Sequence, residues 1–417
     1  MSFTKQEQIL PRKVGLFNPS SPSAVIFKDE VSVFYNGGGN DGIWYTHLHY
    51  FFFSSWWESP TNARKAGASN VQVAKGTTPN PIVYNKVLYV FFVSAKDKSI
   101  QYITSKDRRK WTQPSTLPTS IFPWSYEEDA PTAEGEEPVS ITSSPITTVH
   151  KGKLYLFYPN THNEGIHYSI FDGKSWSPSA DVSAKNLGLL TTTTPFPVSF
   201  KGTLYLFYSG RGGDGIWLTS LSDDGKWSDA ASASKEIGDL AKRIVGSPAA
   251  FVTQDKKGKD VSLTVLWTND EAVGIANTTD AKAWTGTASL RTIIGTQGLM
   301  DGTSPTGVNA PGGTPYIFWA GAGDAGLWFS KGQAAKGLDA VEEMGVGVGV
   351  QDPEKAALMG GDLEFVERKR GVRAAFTPER RAKALRILVY TIVIAMLLVV
   401  SSSVGTVFHC SGNMVRQ

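Results

Sequence analysis

The chain has 417 residues, with 41 Lys or Arg against 38 Asp or Glu and a formal net charge of +3. So close a balance, with no basic bias in the repeats described below, argues against nucleic acid as the main partner. Hydrophobic residues make up 41% and aromatics 11%, ample for a packed core and too much for wholesale disorder. The single cysteine, Cys410, rules out an intramolecular disulfide and fits a reducing compartment.

The opening segment, MSFTKQEQILPRK, has no apolar stretch of the kind a secretory signal needs. From residue 21 to about 331 the chain repeats one pattern six times. Each copy opens on a Ser/Thr-Pro step: Ser21-Pro22, Thr78-Pro79, Ser144-Pro145, Thr194-Pro195, Ser247-Pro248 and Ser304-Pro305. A short apolar strand follows, then a strand such as LYLFY (154–158, again at 204–208), a Gly/Asp turn and an aromatic strand. Aligning Phe34, Phe91, Phe157, Phe207, Leu266 and Phe318 gives spacings of 57, 66, 50, 59 and 52 residues. A period near fifty with three or four short strands per unit predicts an all-β fold, a β-propeller of six blades. Seven blades are possible if a degenerate copy is hidden in 111–139, although the prolines and carboxylates there read as a surface loop.

Local chemistry assigns the strands. Proline cannot donate to a ladder, so each Ser/Thr-Pro step should begin a strand, the one nearest the central axis. In LYLFY both faces are hydrophobic, as expected where a blade packs against a neighbour on each side. The turns GGGNDG (37–42), GRGGDG (210–215) and GAGDAG (321–326) supply the glycines that tight hairpins need. Trp111, Trp176, Trp227 and Trp284 mark the outermost strands, whereas the sixth copy stops at Ser330 without one. Residues 6–17 precede the first copy and are expected to complete that last blade, because closure removes an exposed sheet edge. Blade one also departs from the pattern, with HLHYFFFSSWWES at 47–59 where other copies have a short hairpin. This run is either an aromatic loop facing a membrane or a ligand, or an error of the gene model.

Beyond residue 332 the composition changes. Residues 333–386 read as a linker, with GVGVGV at 345–350 and a basic stretch that includes Arg368, Lys369, Arg370, Arg380, Arg381 and Arg386. Residues 387–408 carry no charge, and as a helix they would span ~33 Å, about the thickness of a bilayer's hydrocarbon core. Residues 409–417 form a short tail. With the basic flank on the propeller side, the positive-inside rule predicts a tail-anchored protein with a cytosolic propeller.

The residues best suited to a ligand repeat with the blades. Trp44, Trp217 and Trp328 lie two residues after a turn glycine and Tyr168 three residues after, each preceded by a carboxylate: Asp41, Asp214, Asp324 and Glu164. An aromatic face stacks on the apolar side of a pyranose ring, and nearby polar groups fix its hydroxyls. A second reading stays open, in which the same aromatics pack between blades and the Asp-Gly pairs only form turns. No catalytic residue, metal or cofactor is expected. His47 and His49 are two neighbouring ligand types without a third, and the glycine-rich turns are hairpins, not phosphate cradles.

SKDRRKW (105–111), SIFDGKSW (169–176), SLSDDGKW (220–227) and TTDAKAW (278–284) resemble degenerate Asp-boxes of sialidase-type propellers. The DGIW and EGIHY strands look like repeats of sugar-binding propeller lectins, including the fucose-binding type. The resemblance covers 21–331 and implies a carbohydrate-binding propeller with several inter-blade sites; with the anchor read from 387–408, the expectation is a non-catalytic, membrane-held lectin. Two alternatives stay open, a protein-interaction scaffold and a glycosidase. The second would need converging carboxylates, yet all six Pro steps carry Ser or Thr, and arginines are sparse in the copies.

Overall fold

The structure is a computed structural model. It describes residues 3–332 apart from 5, 10–15, 17–19, 39–40, 52–53, 119–142, 160–164, 185–186, 191–192, 243, 256, 270–272, 290–299, 301 and 323–325. The described part lies in one compact unit that runs to Gly345. The linker, the 387–408 segment and the tail fall outside the described residues, and among those described no helix is long and apolar enough to cross a membrane.

Six antiparallel sheets account for the described strands, one per copy of the repeat. Blade three shows the plan: Ile146–His150 pairs with Lys153–Pro159, which pairs with Ile166–Phe171, which pairs with the short Ala180–Asp181. The inner strands of successive blades, such as Ser23–Phe27, Asn80–Tyr84 and Ile146–His150, neighbour one another round the axis. Blade six lacks an outer strand of its own and takes one from the other chain end. Glu7–Gln8 pairs with Leu327–Lys331, and Phe3 bridges Gly332. The closing segment therefore starts earlier than the expected 6–17, and 10–15 lie outside the described residues.

The Ser/Thr-Pro steps form a closed ring. In each, the backbone N–H of the Ser or Thr donates to the hydroxyl oxygen of the matching residue in the next blade. Ser21 donates to Thr78 (3.2 Å), Thr78 to Ser144 (2.7 Å) and Ser144 to Thr194 (2.9 Å). Thr194 then donates to Ser247 (2.7 Å), Ser247 to Ser304 (2.9 Å) and Ser304 back to Ser21 (2.8 Å). A residue at this step therefore needs a short side-chain oxygen, and the proline after it needs no partner for a missing N–H. The ring also fixes the blade number. The direct bond from Thr78 to Ser144 makes blades two and three immediate neighbours, which leaves no room for a seventh between them.

Hydrophobic clusters fill the spaces between blades. Phe34 and Tyr45 of blade one pack with Leu88, Val90, Phe92 and Ile103 of blade two, and Tyr316 and Phe318 of blade six pack with Val31, Val33 and Tyr35. Each fully buried Phe or Leu contributes ~1.5–3 kcal/mol relative to exposure. A tryptophan from each of five blades seats edge-on against the second-strand phenylalanine of the blade before it. The pairs are Trp111–Phe34, Trp176–Phe91, Trp227–Phe157 and Trp284–Phe207, all with ring centroids 6.0 Å apart. Blade one completes the set with Trp57 on Phe318 of blade six, at 5.8 Å and 86°. The aromatic run at 47–59 is thus part of the blade. It lengthens the third strand to Ile43–Phe51, turns back as Ser54–Trp57, and delivers the wedge that the sixth-to-first junction needs.

Candidate functional site

Two regions were singled out by chemistry, the channel mouth and the aromatic turns. At the mouth, the Ser/Thr ring lines a cavity of about 230 Å³ together with Asn80, Ile146, Phe196 and Val245. Among the described residues that line it, none is ionisable.

The turns of blades one and four are built alike. Gly37 N–H donates to Gly42 O (3.0 Å) and Gly210 N–H to Gly215 O (2.9 Å), closing each loop. The indole N–H of Trp44 donates to Asp41 Oδ1 at 2.6 Å, and that of Trp217 to Asp214 Oδ1 at 2.9 Å. Each indole lies against the loop's first glycine: a Cβ on Gly37 would fall 2.2 Å from Trp44 Cδ1, and one on Gly210 would fall 2.5 Å from Trp217 Cδ1. The aspartate thus fixes the ring's orientation, and one of its oxygens is already engaged. Both tryptophans are half-buried. The carboxylates also act on their neighbours. Burial first, and then Asp41, raises the Tyr35 hydroxyl pKa further above its ordinary value; burial and Asp214 do the same to Tyr208.

The other two members of the set diverge. Strand register places His167, not Tyr168, opposite Tyr158, the place that Trp217 takes opposite Tyr208. Tyr168 lies one residue on, on the other face, where it stacks on Phe157 (5.6 Å) and meets Trp227 of blade four edge-on (5.7 Å). Counting from the turn glycine missed this because a strand alternates its faces every residue. His167 has its Nδ1 2.5 Å from Asp181 Oδ1, and burial, opposed by Asp181, lowers its pKa. Trp328 is half-buried, sits opposite Trp319 and packs on the cluster of Phe251, Leu266 and Ile275 from blade five. Glu164 and Asp324 lie outside the described residues.

Around Trp44 the structure adds a group that sequence reading did not select. Arg64 lies two residues after Asn62, the strand partner of Trp44. Its Nε donates to Ser69 O (3.3 Å) and its Nη1 to Asp41 O (3.4 Å), while Asn62 Nδ2 also donates to Asp41 O (2.9 Å). Asp41, Trp44, Asn62, Arg64, Lys65 and Ser69 line an open surface cavity of about 370 Å³. A second cavity of about 450 Å³ shares Arg64 and Ser69 and extends toward blade two, past Gln72, Asp97, Gln101 and Gln113. Gln101 takes the register place of Trp44 in that blade. Burial would raise the Asp97 pKa, but the Ser99 and Ser94 hydroxyls and the Ser99 N–H outweigh it and hold the group lower, hence ionised. In blade four the residue matching Arg64 is Ser234, whose buried hydroxyl accepts Ile216 N–H (2.7 Å) and donates to Ala241 O (2.8 Å). The copies are therefore not equivalent: at this register place blade one has Arg64 and blade four Ser234. The signal was in the sequence, as an arginine where the fourth copy has serine, but its relevance depends on a pairing 18 residues distant.

No protein-family model and no curated protein matches the chain. Among solved structures, it is similar to the six-bladed fungal lectin of Aleuria aurantia, with TM-score 0.53 and 14% identity over 78% of this chain and 95% of that one. It is also similar to the NanB sialidase of Streptococcus pneumoniae, with TM-score 0.50 and 11% identity over 79% of this chain and 70% of that one. At these identities the likeness is one of fold, and it defines the chain as a six-bladed β-propeller.

Proposed function

We propose that the protein is a carbohydrate-binding propeller, lectin-like and non-catalytic, that takes a sugar against Trp44 and Arg64 of blade one. The observation that carries this reading is the open cavity that a half-buried indole, fixed by Asp41, lines together with Arg64. Such a pair suits a pyranose: the ring's apolar face stacks on the indole, and its hydroxyls bond the guanidinium and the second Asp41 oxygen. The fold shared with a lectin supports the same reading. So does the channel mouth, whose hydroxyl-and-proline lining suits a structural ring better than glycoside hydrolysis. Trp217 with Asp214 supplies a second aromatic platform, with Ser234 in the register place of Arg64, and is expected to bind more weakly. Residues 387–408 serve in this proposal as a membrane anchor, with the basic flank leaving the propeller on the cytosolic side.

The test is a glycan array probed with the full chain, including fucosylated and sialylated glycans, beside Trp44→Ala and Arg64→Met. A hydrogen bond from a charged group is worth ~1.5–3 kcal/mol, so Arg64→Met should weaken a bound glycan roughly 10- to 100-fold. Binding that both variants retain at full strength would remove the site. No binding to any glycan by the folded wild type would move the assignment to a protein-interaction scaffold.

A further inference from the structure

The long hairpin of blade one carries a second cluster that sugar binding leaves unused. On the strand Ile43–Phe51, His47 and His49 point to one face, because side chains two apart on a strand do so. Two carboxylates from other stretches meet them. Glu58, just after Ser54–Trp57, places Oε2 2.6 Å from His47 Nε2 and 2.8 Å from His49 Nε2. Glu30, at the start of the adjacent strand Glu30–Asn36, places Oε1 2.8 Å from His49 Nδ1 and Oε2 4.0 Å from His47 Nε2. One donor atom from each of Glu30, His47 and His49 lies within 4.8 Å of the others.

The donor atoms of Glu30, His47 and His49 converge within the reach of one ion, and Glu58, whose carboxylate lies against both rings, joins them by turning that carboxylate to leave the room an ion takes. The far oxygen of Glu30 is held by Arg108, a buried guanidinium that crosses from blade two and is itself fixed by Phe27 O (3.1 Å) and Ser32 Oγ (3.0 Å). An outer group that orients a carboxylate in this way, and leaves its other oxygen for a cation, is what ligating carboxylates ordinarily have. The side chains range from 13% exposed at His47 to 47% at Glu58, which leaves an entry path and lets Glu58 adjust.

We propose that His47, His49, Glu30 and Glu58 form a binding site for one divalent transition-metal ion, of which zinc best suits the donors. Imidazole nitrogens with carboxylates select such ions over calcium and magnesium, which prefer all-oxygen shells. The site would tie the strand Ile43–Phe51 to the strand beside it and to the return of the hairpin that carries Trp57. It extends the sequence reading, in which two histidines lacked further ligands: the missing ligands lie 11 and 17 residues away along the chain, at Glu58 and Glu30.

The test is a zinc chloride titration of the full chain, purified without a tag and stripped with chelator, followed by calorimetry and by metal analysis after dialysis. One zinc per chain is expected, with affinity reduced at least tenfold in His49→Gln and in Glu58→Gln. Arg108→Lys should lose ~10- to 100-fold, as orienting groups do, whereas Lys226→Ala, at an exposed residue of blade four, should bind as the wild type does. Thermal melts of the metal-free proteins establish that each variant is folded. Glu58→Gln secures this arm, because its half-exposed side chain adds little packing. A wild type without saturable zinc binding would overturn the site, as would folded His49→Gln and Glu58→Gln variants that bind zinc as tightly as the wild type.

Discussion

The ring of hydroxyl oxygens that joins the six blades can be broken at one bond without changing shape. Thr194 is the place to do it, since both it and its donor Ser144 are buried, at 9% and 5% exposure. The Ser144 N–H donates to Thr194 Oγ1 at 2.9 Å. Thr194→Val keeps the volume and the branching and deletes the acceptor, leaving a buried N–H with no partner. Such a group costs ~1–3 kcal/mol. Thr194→Ser keeps the oxygen and loses one methyl, for ~0.8 kcal/mol at most. Urea unfolding of both variants, followed by tryptophan fluorescence, should therefore rank valine below serine with an unchanged slope, because the loss lies in the folded state. A valine variant as stable as the serine one would refute the ring as a source of stability and reduce the Ser/Thr preference to one of backbone conformation.

Other consequences follow from the same geometry. Trp57→Ala removes the wedge against Phe318 at the closure of the propeller. A large truncation in a full core costs ~3–5 kcal/mol; Trp57 is partly buried against its cluster, so a loss toward the lower end is expected, with the urea midpoint still below that of an exposed control such as Trp56→Ala, Trp56 being 50% exposed. Gly210→Ala would put a Cβ 1.9 Å from Asp214 Oδ1 and 2.5 Å from Trp217 Cδ1; the indole should be displaced, seen as a shifted fluorescence that Trp217→Phe abolishes. The turn aspartates Asp172 and Asp280 each accept two backbone N–H groups of their own hairpin, which hold their pKa values below the usual 3.8. Because the folded value is the lower one, their contribution to stability is present above pH 3.8 and disappears as the pH falls through the folded value. Carboxyl titrations by NMR should give midpoints under 3.8 for both; midpoints at or above it would mean the turn bonds are not kept in solution.

What could be read in advance was what is local. A propeller blade is a run of hairpins between neighbouring segments, so its period, its Pro-marked inner strand and its glycine turns are written within about fifty residues of chain. The aspartate turns were legible for the same reason, since Asp172 bonds residues two and three positions on. The bonds between blades were not. That Ser144 accepts from Thr78, that Trp57 seats on Phe318 and that Tyr168 faces Trp227 depend on how adjacent sheets lie against each other. A one-residue difference in register, enough to exchange His167 for Tyr168, reverses which side chain faces the cleft. Arg64 beside Trp44, and Glu30 and Glu58 about the two histidines, are likewise products of strand pairing. The repeat decides how many blades there are and where each begins; the packing of twisted sheets round an axis decides which polar groups meet, because that depends on side-chain direction, which the repeat pattern alone does not specify.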